Sequence, residues 1–174
     1  AQAQQNLWSL STAVAENCVN AVKKARLRDI SPDTAFTLGM FHDCGLALLC
    51  KRFPAYAQAL SETNAWPDIL ELDHSHQLSH AVMGQMVAKN WSLPDEIVLA
   101  IRHHHDLATN GLDAATLRLC AVLNFACHMY NQLHGLDDHD WQANWHAETM
   151  QRLQISADDL TALEAEMQAD DADY

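Results

Sequence analysis

Residues 31–50, SPDTAFTLGMFHDCGLALLC, decide the fold. Ser31-Pro32-Asp33 reads as a helix start: a hydroxyl N-cap, Pro at the first helical position, then an acid in the first turn. The helix it opens carries Phe36, Leu38, Met40, Phe41, Leu46, Leu48 and Leu49. It is apolar nearly all round, which predicts one central, buried helix. Its most apolar part, Ala35 to Cys50, is too short to span a bilayer and is broken by His42 and Asp43. A buried His and Asp are costly unless each is hydrogen-bonded or bound to a metal. Two readings stand side by side: a His–Asp pair that fixes helix packing, or part of a metal site between helices. Neighbours on one helix do not face each other, so both side chains must point at something shared.

Helical punctuation recurs on either side. Leu7, Leu10, Val14, Cys18, Ala21, Val22 and Ala25 fall at three- and four-residue steps. Lys23, Lys24, Arg26 and Arg28 follow at the end of that helix, where cations complement its dipole. Pro54 opens a short helix through Leu60, and Pro67 another through about Leu72. Ser79 starts a helix carrying Val82, Met83, Met86 and Val87. Pro94-Asp95-Glu96 starts one that ends in His103-His104-His105. A long helix runs from about Asp113 to His134, closed by Gly135. Asp137 to Asn144 reads as a polar loop containing Trp141. Helices around Trp145 to Leu153 and from Ser156 follow, and Asp170 to Tyr174 is expected to fray. No alternating strand pattern or repeat occurs, so the fold class is all-α. With 5 Gly and 4 Pro, a turn-rich β fold is disfavoured.

The chain has 174 residues and a net charge of −13, which opposes phosphate-backbone and anionic-lipid binding. The charge is uneven. Residues 1–136 hold 12 acids and 9 bases; residues 137–174 hold 11 acids and 1 base. The domain boundary is therefore placed there: a helical core over 1–136 and an acidic helical extension over 137–174, packed on the core or trailing it. Cys18, Cys44, Cys50, Cys120 and Cys127 form an odd set without a CxxC, expected as reduced core thiols of a cytoplasmic protein. There is no signal-peptide pattern. The start at Ala1 suggests a fragment or processed piece.

Eleven His give further candidates. His80, in the first turn of its helix, is best placed to enter a cleft. His74 and His76 read as surface residues. Of His103, His104 and His105, at most two can serve one site. His128, His134, His139 and His146 read as core-edge or surface residues. Imidazole and carboxylate together suit Zn, Mn or Fe.

Phe36 to Gly45, FTLGMFHDCG, resembles the FLAGLLHDIG signature of the HD superfamily. Glu71, then His80-Ala81-Val82-Met83-Gly84, Trp91-Ser92-Leu93-Pro94 and Ala100-Ile101-Arg102-His103-His104-His105 follow in order. This series is similar to the pattern of the HDOD family, HD-related output domains of bacterial signalling proteins. Trp8 to Ala15 resembles that family's W-x-H-S-x-x-x-A helix. The resemblance runs from about residue 7 to 135 and implies an HD-like bundle of about seven to nine helices. It also implies that an N-terminal block of the family domain is missing here.

The same resemblance implies a damaged metal site. HD phosphohydrolases hold a metal with a first His, the His-Asp dyad and a distal Asp. The dyad is His42-Asp43, but the other two positions fall on Leu10 and Asn124. Related HD-GYP phosphodiesterases use further His ligands, at positions matching His80, His104 and His105. His42, Asp43, His80, His104 and His105 are thus the candidate vestigial metal site. No Gly-Tyr-Pro follows His105, where the chain runs Asp106-Leu107-Ala108. The expectation is a non-catalytic output module acting through protein partners, without cofactor, membrane or nucleic acid. The alternatives are a metal-dependent phosphohydrolase using a shifted site and a nucleotide sensor without hydrolysis.

Overall fold

The computed structural model describes residues 2–62, 67–107 and 111–172. Every regular element among the described residues is helical, as the punctuation predicts. In chain order these are α1 (Gln2–Lys24), α2 (Pro32–Phe41), α3 (Cys44–Arg52), α4 (Pro54–Glu62) and α5 (Ile69–His76). Then come α6 (His80–Asn90), α7 (Asp95–His103), α8 (Ala114–Leu133), α9 (His146–Leu153) and α10 (Ala157–Ala172). The expected starts hold. Ser31, Ser79 and Asp113 each accept a hydrogen bond from a backbone N–H three residues on. The helix after Pro67 begins at Ile69, with Asp68 as the capping group. Gly135 takes a left-handed φ of 62° past the end of α8, a conformation that favours glycine.

The single helix expected over residues 31–50 is two. α2 stops at Phe41, Asp43 leaves helical geometry at φ −108° and ψ 22°, and α3 restarts at Cys44. The cause is tertiary. α3 packs on α6 at Gly45, where a Cβ would collide with His80 O and lie 2.6 Å from Gly84 N. A straight continuation of α2 would not present Gly45 to that backbone. The split also gives each half an outer face: Leu38 and Leu46 are buried, while Phe36 and Leu48 are exposed.

α1 and α8 run through the centre. α1 packs against α2, α3, α4, α8 and α10, and α8 against α2, α7, α9 and α10. Leu10, Val14 and Cys18 of α1 meet a core that includes Leu123, Phe125 and Met129 of α8. A second expectation fails at the polar loop. Residues Trp141–Trp145 form a π-helical turn, and both tryptophans are buried. Trp145 Nε1 donates to Asp140 at 2.8 Å, and the Trp141 ring stacks on His128 with centroids 4.1 Å apart. Their polar neighbours masked two aromatic anchors. Leu160, Leu163 and Met167 of α10 are buried in the same core. α10 continues to Ala172; the rest of the Asp170–Tyr174 stretch lies outside the described residues.

Candidate functional site

The α2–α3 break builds the site. Because the chain turns at His42-Asp43, both side chains enter one space, as a continuous helix would not allow. His80 opens α6, held by its cap at Ser79, and His104 and His105 follow the end of α7. Ligand atoms of Asp43, His80, His104 and His105 all lie within 4.8 Å of one another. His42 Nε2 joins them, 3.2 Å from Asp43 Oδ2. The candidate residues named from sequence thus meet in one place. All are buried except His105, which sits exposed at the rim.

Each buried imidazole is oriented from behind. His42 Nδ1 donates to Gly39 O at 2.7 Å, and His104 Nδ1 to Ile101 O at 2.7 Å. His80 Nδ1 donates to Asp73 Oδ2 at 2.7 Å. Those contacts turn the three Nε2 atoms toward Asp43. His80 and His104 Nε2 approach Asp43 Oδ1 at 3.3 and 3.5 Å. Such a backing contact is what fixes the tautomer of a metal-ligating His. Asp43 Oδ1 and His104 Nε2 are buried without a hydrogen-bond partner. The donor set, imidazole nitrogen and carboxylate oxygen, therefore fits a divalent transition metal.

The electrostatics follow from crowding. Burial disfavours an anion at Asp43, but the His42 and His80 rings outweigh it and hold the carboxyl well below the usual range. Burial likewise works against charge on His42 and His80. For His42 the Asp43 carboxylate and the Cys127 thiol win, and for His80 Asp43 and Asp73 win, so both rings are raised. At His104 burial wins over Asp43, and the ring is lowered.

No sequence motif marks Asp73 or Tyr56. Asp73 Oδ2 also accepts from the His80 backbone N–H at 2.8 Å, and Tyr56 Oη donates to Asp73 Oδ1 at 2.7 Å. Glu71, the acid singled out by the pattern, is exposed and supplies a backbone N–H to the Asp68 cap. His128, expected at the core edge or surface, is buried between Asp138 and Glu164 at 2.7 and 3.4 Å. His74 and His76 are exposed, as read. His103 pairs with Asp106, away from the cluster.

The two departures from the HD pattern have plain structural roles. Leu10 is 3% exposed and packs in the apolar core. Asn124 donates both amide hydrogens to backbone carbonyls, those of His104 at 3.0 Å and Cys120 at 2.9 Å. The cluster opens into a cavity of about 230 Å³, whose wall includes Asp68, Asn124, Cys127, Asp138, Asp140 and Trp141.

The sequence pattern of the HDOD domain matches residues 1–107. No curated protein matches the sequence. Among solved structures, the MmoQ response regulator from Methylococcus capsulatus str. Bath is similar in fold. Its TM-score is 0.58 at 23% identity, over 93% of this chain and 61% of that one. The His42-Asp43 turn, the His80 start of α6 and the His104-His105 pair after α7 all lie within the matched span, and the chain belongs to the HDOD domain family.

Proposed function

We propose that the protein is a non-catalytic HDOD-type output module, acting through protein partners of a signalling pathway in the cytoplasm. One observation carries this reading. The described wall of the cavity holds Asp43, Asp68, Asp138 and Asp140 but no Lys or Arg. Phosphoryl transfer draws on cationic groups that clamp phosphate oxygens; the described wall offers no Lys or Arg for this, and its four carboxylates oppose an anion. A partner surface is available elsewhere. Trp8 and Trp91, 64% and 54% exposed, flank an apolar groove with Met40 and Phe41. The name of MmoQ, a response regulator, agrees with a signalling role. No helix among the described residues is long and apolar enough to cross a membrane. The test is turnover of bis(p-nitrophenyl) phosphate, nucleotides and cyclic dinucleotides with added Mn²⁺ or Zn²⁺. No turnover above that of His42→Ala is expected; robust turnover abolished by His42→Ala overturns the reading.

A second reading, a metal-dependent phosphohydrolase, is favoured by the three imidazoles locked with Nε2 toward Asp43. His42, Asp43, His80, His104 and His105 would hold the ion. Once bound, it supplies a Lewis acid and lowers the pKa of water. Elemental analysis of protein purified without added metal separates the two. Near-stoichiometric metal, lost in Asp43→Ala, supports the second. A nucleotide that binds without hydrolysis would raise the melting temperature in a thermal-shift screen, and the acidic wall predicts no such shift.

A further inference from the structure

We infer that the cleft beside Asp43 binds an organic cation, an alkylammonium or alkylguanidinium group. The inference deepens the non-catalytic reading and rests on it. A cavity of about 230 Å³ is far larger than one ion and suits a small molecule or a long side chain.

The floor of the cleft offers acceptors that lack donors. Asp43 Oδ1 is buried and receives no hydrogen bond. Two ring atoms stand near it without a hydrogen bond: His80 Nε2 at 3.3 Å, which lies closer to His105 Nε2 at 3.1 Å, and His104 Nε2 at 3.5 Å. His104 Nε2 is also unpartnered. Its Nδ1 is committed to Ile101 O, so Nε2 presents a lone pair. Asn124 also lines the cavity, with its amide nitrogen already used on two backbone carbonyls. Converging acceptors without a donor are costly when buried, and a group rich in N–H removes that cost.

The outer wall selects the same sign of charge. Asp68 accepts from Glu71 N, Asp138 contacts His128, and Asp140 accepts from Trp145. These contacts fix the three carboxylates in place around the opening. Ile69, Leu70 and Trp141 give an apolar strip along which an alkyl stem can lie. An anion would meet the carboxylates of the wall; an ammonium or guanidinium supplies donors to Asp43 Oδ1 and His104 Nε2 and is attracted by the acids. The group can belong to a free amine or to a Lys or Arg side chain of a partner protein.

Isothermal titration of the chelator-treated full chain at physiological salt tests this. The probes are agmatine, spermidine, a neutral peptide carrying one Lys or Arg, and inorganic phosphate. Saturable one-site binding of a cation is expected, with none for phosphate. Tighter binding of free amine than of peptide identifies a metabolite; the reverse identifies a partner side chain. Asp43→Asn should weaken binding at least tenfold, and added Zn²⁺ should compete with the amine. Should Asp43→Asn fail to fold, Leu70→Lys places a cation on an exposed position of the rim and should weaken binding equally. Asp137→Asn, exposed and outside the cleft wall, should change nothing. The proposal is overturned if no cation binds, if phosphate binds instead, or if Asp43→Asn and Leu70→Lys bind like wild type. Failure to bind cations while phosphodiesters stay intact would leave the non-catalytic reading standing. Phosphodiester turnover lost in His42→Ala would end that reading whatever the cations do.

Discussion

Asp73 sets His80 more firmly than any residue the motifs name. Its carboxylate holds the His80 ring at Nδ1, the His80 backbone N–H and the Tyr56 hydroxyl, all within buried surroundings. Asp73→Asn leaves these groups poorly paired, so a loss of about 2–4 kcal/mol is expected. Tyr56→Phe removes one bond and should cost about 1 kcal/mol. Both should appear as lower urea midpoints at unchanged slope. The pH dependence has a definite sign. Asp73 is lowered in the folded state, so its contribution is present above the ordinary carboxylate pKa and is lost as pH falls through the folded value. His80 is raised, so its contribution is present below the ordinary imidazole pKa and is lost as pH rises through the folded value. The stability gap between wild type and Asp73→Asn should therefore peak between about pH 4 and 6.5 and shrink on either side. His42, Asp43, His80, His104 and His105 were legible because the motifs mark them. Asp73 was not. It reaches His80 only because the chain reverses at Gln77, in a left-handed conformation at φ 54° that no local signal announces.

At the scale of elements, the α2–α3 break makes the site possible, and Gly45 makes the break stable. A methyl group at Gly45 meets backbone of α6 at His80 and Gly84, which has no room to yield. Gly45→Ala should cost about 3 kcal/mol or more, seen as a melting point lowered by roughly 6–12 °C. Gly84→Ala meets one side-chain atom, Cγ2 of the buried Ile101, at 2.9 Å, and no backbone closer than 3.6 Å. Its cost should be smaller, about 1–2 kcal/mol. Equal losses at the two positions would refute the close α3–α6 approach. Helix starts were readable because caps and prolines act locally. The break was not, because residues 40–45 carry no proline and the apolar residues on either side of His42-Asp43 read as one continuous helix; the close approach of Gly45 to α6 accompanies the break.

At the scale of the molecule, the charge pattern and the core divide the chain differently. Composition sets residues 137–174 apart as acidic, yet three apolar residues there, Leu160, Leu163 and Met167, are no more than 5% exposed against the rest of the core. Glu164 of the same helix lies beside His128, at 3.4 Å. Removing residues 157–174 strips three buried apolar side chains, each contributing about 1.5–3 kcal/mol, or roughly 4.5–9 kcal/mol together. That is a large share of the roughly 5–15 kcal/mol that a domain possesses. Guanidinium denaturation should find the truncated chain largely unfolded, and Leu160→Ala alone should cost about 2–5 kcal/mol. Neutralising Asp158 to Asn, an exposed acid of α10, should leave stability within about 0.5 kcal/mol. A stable truncated protein would mean that α10 is a solvated appendage, and that the acids of the segment rather than its leucines define what it does.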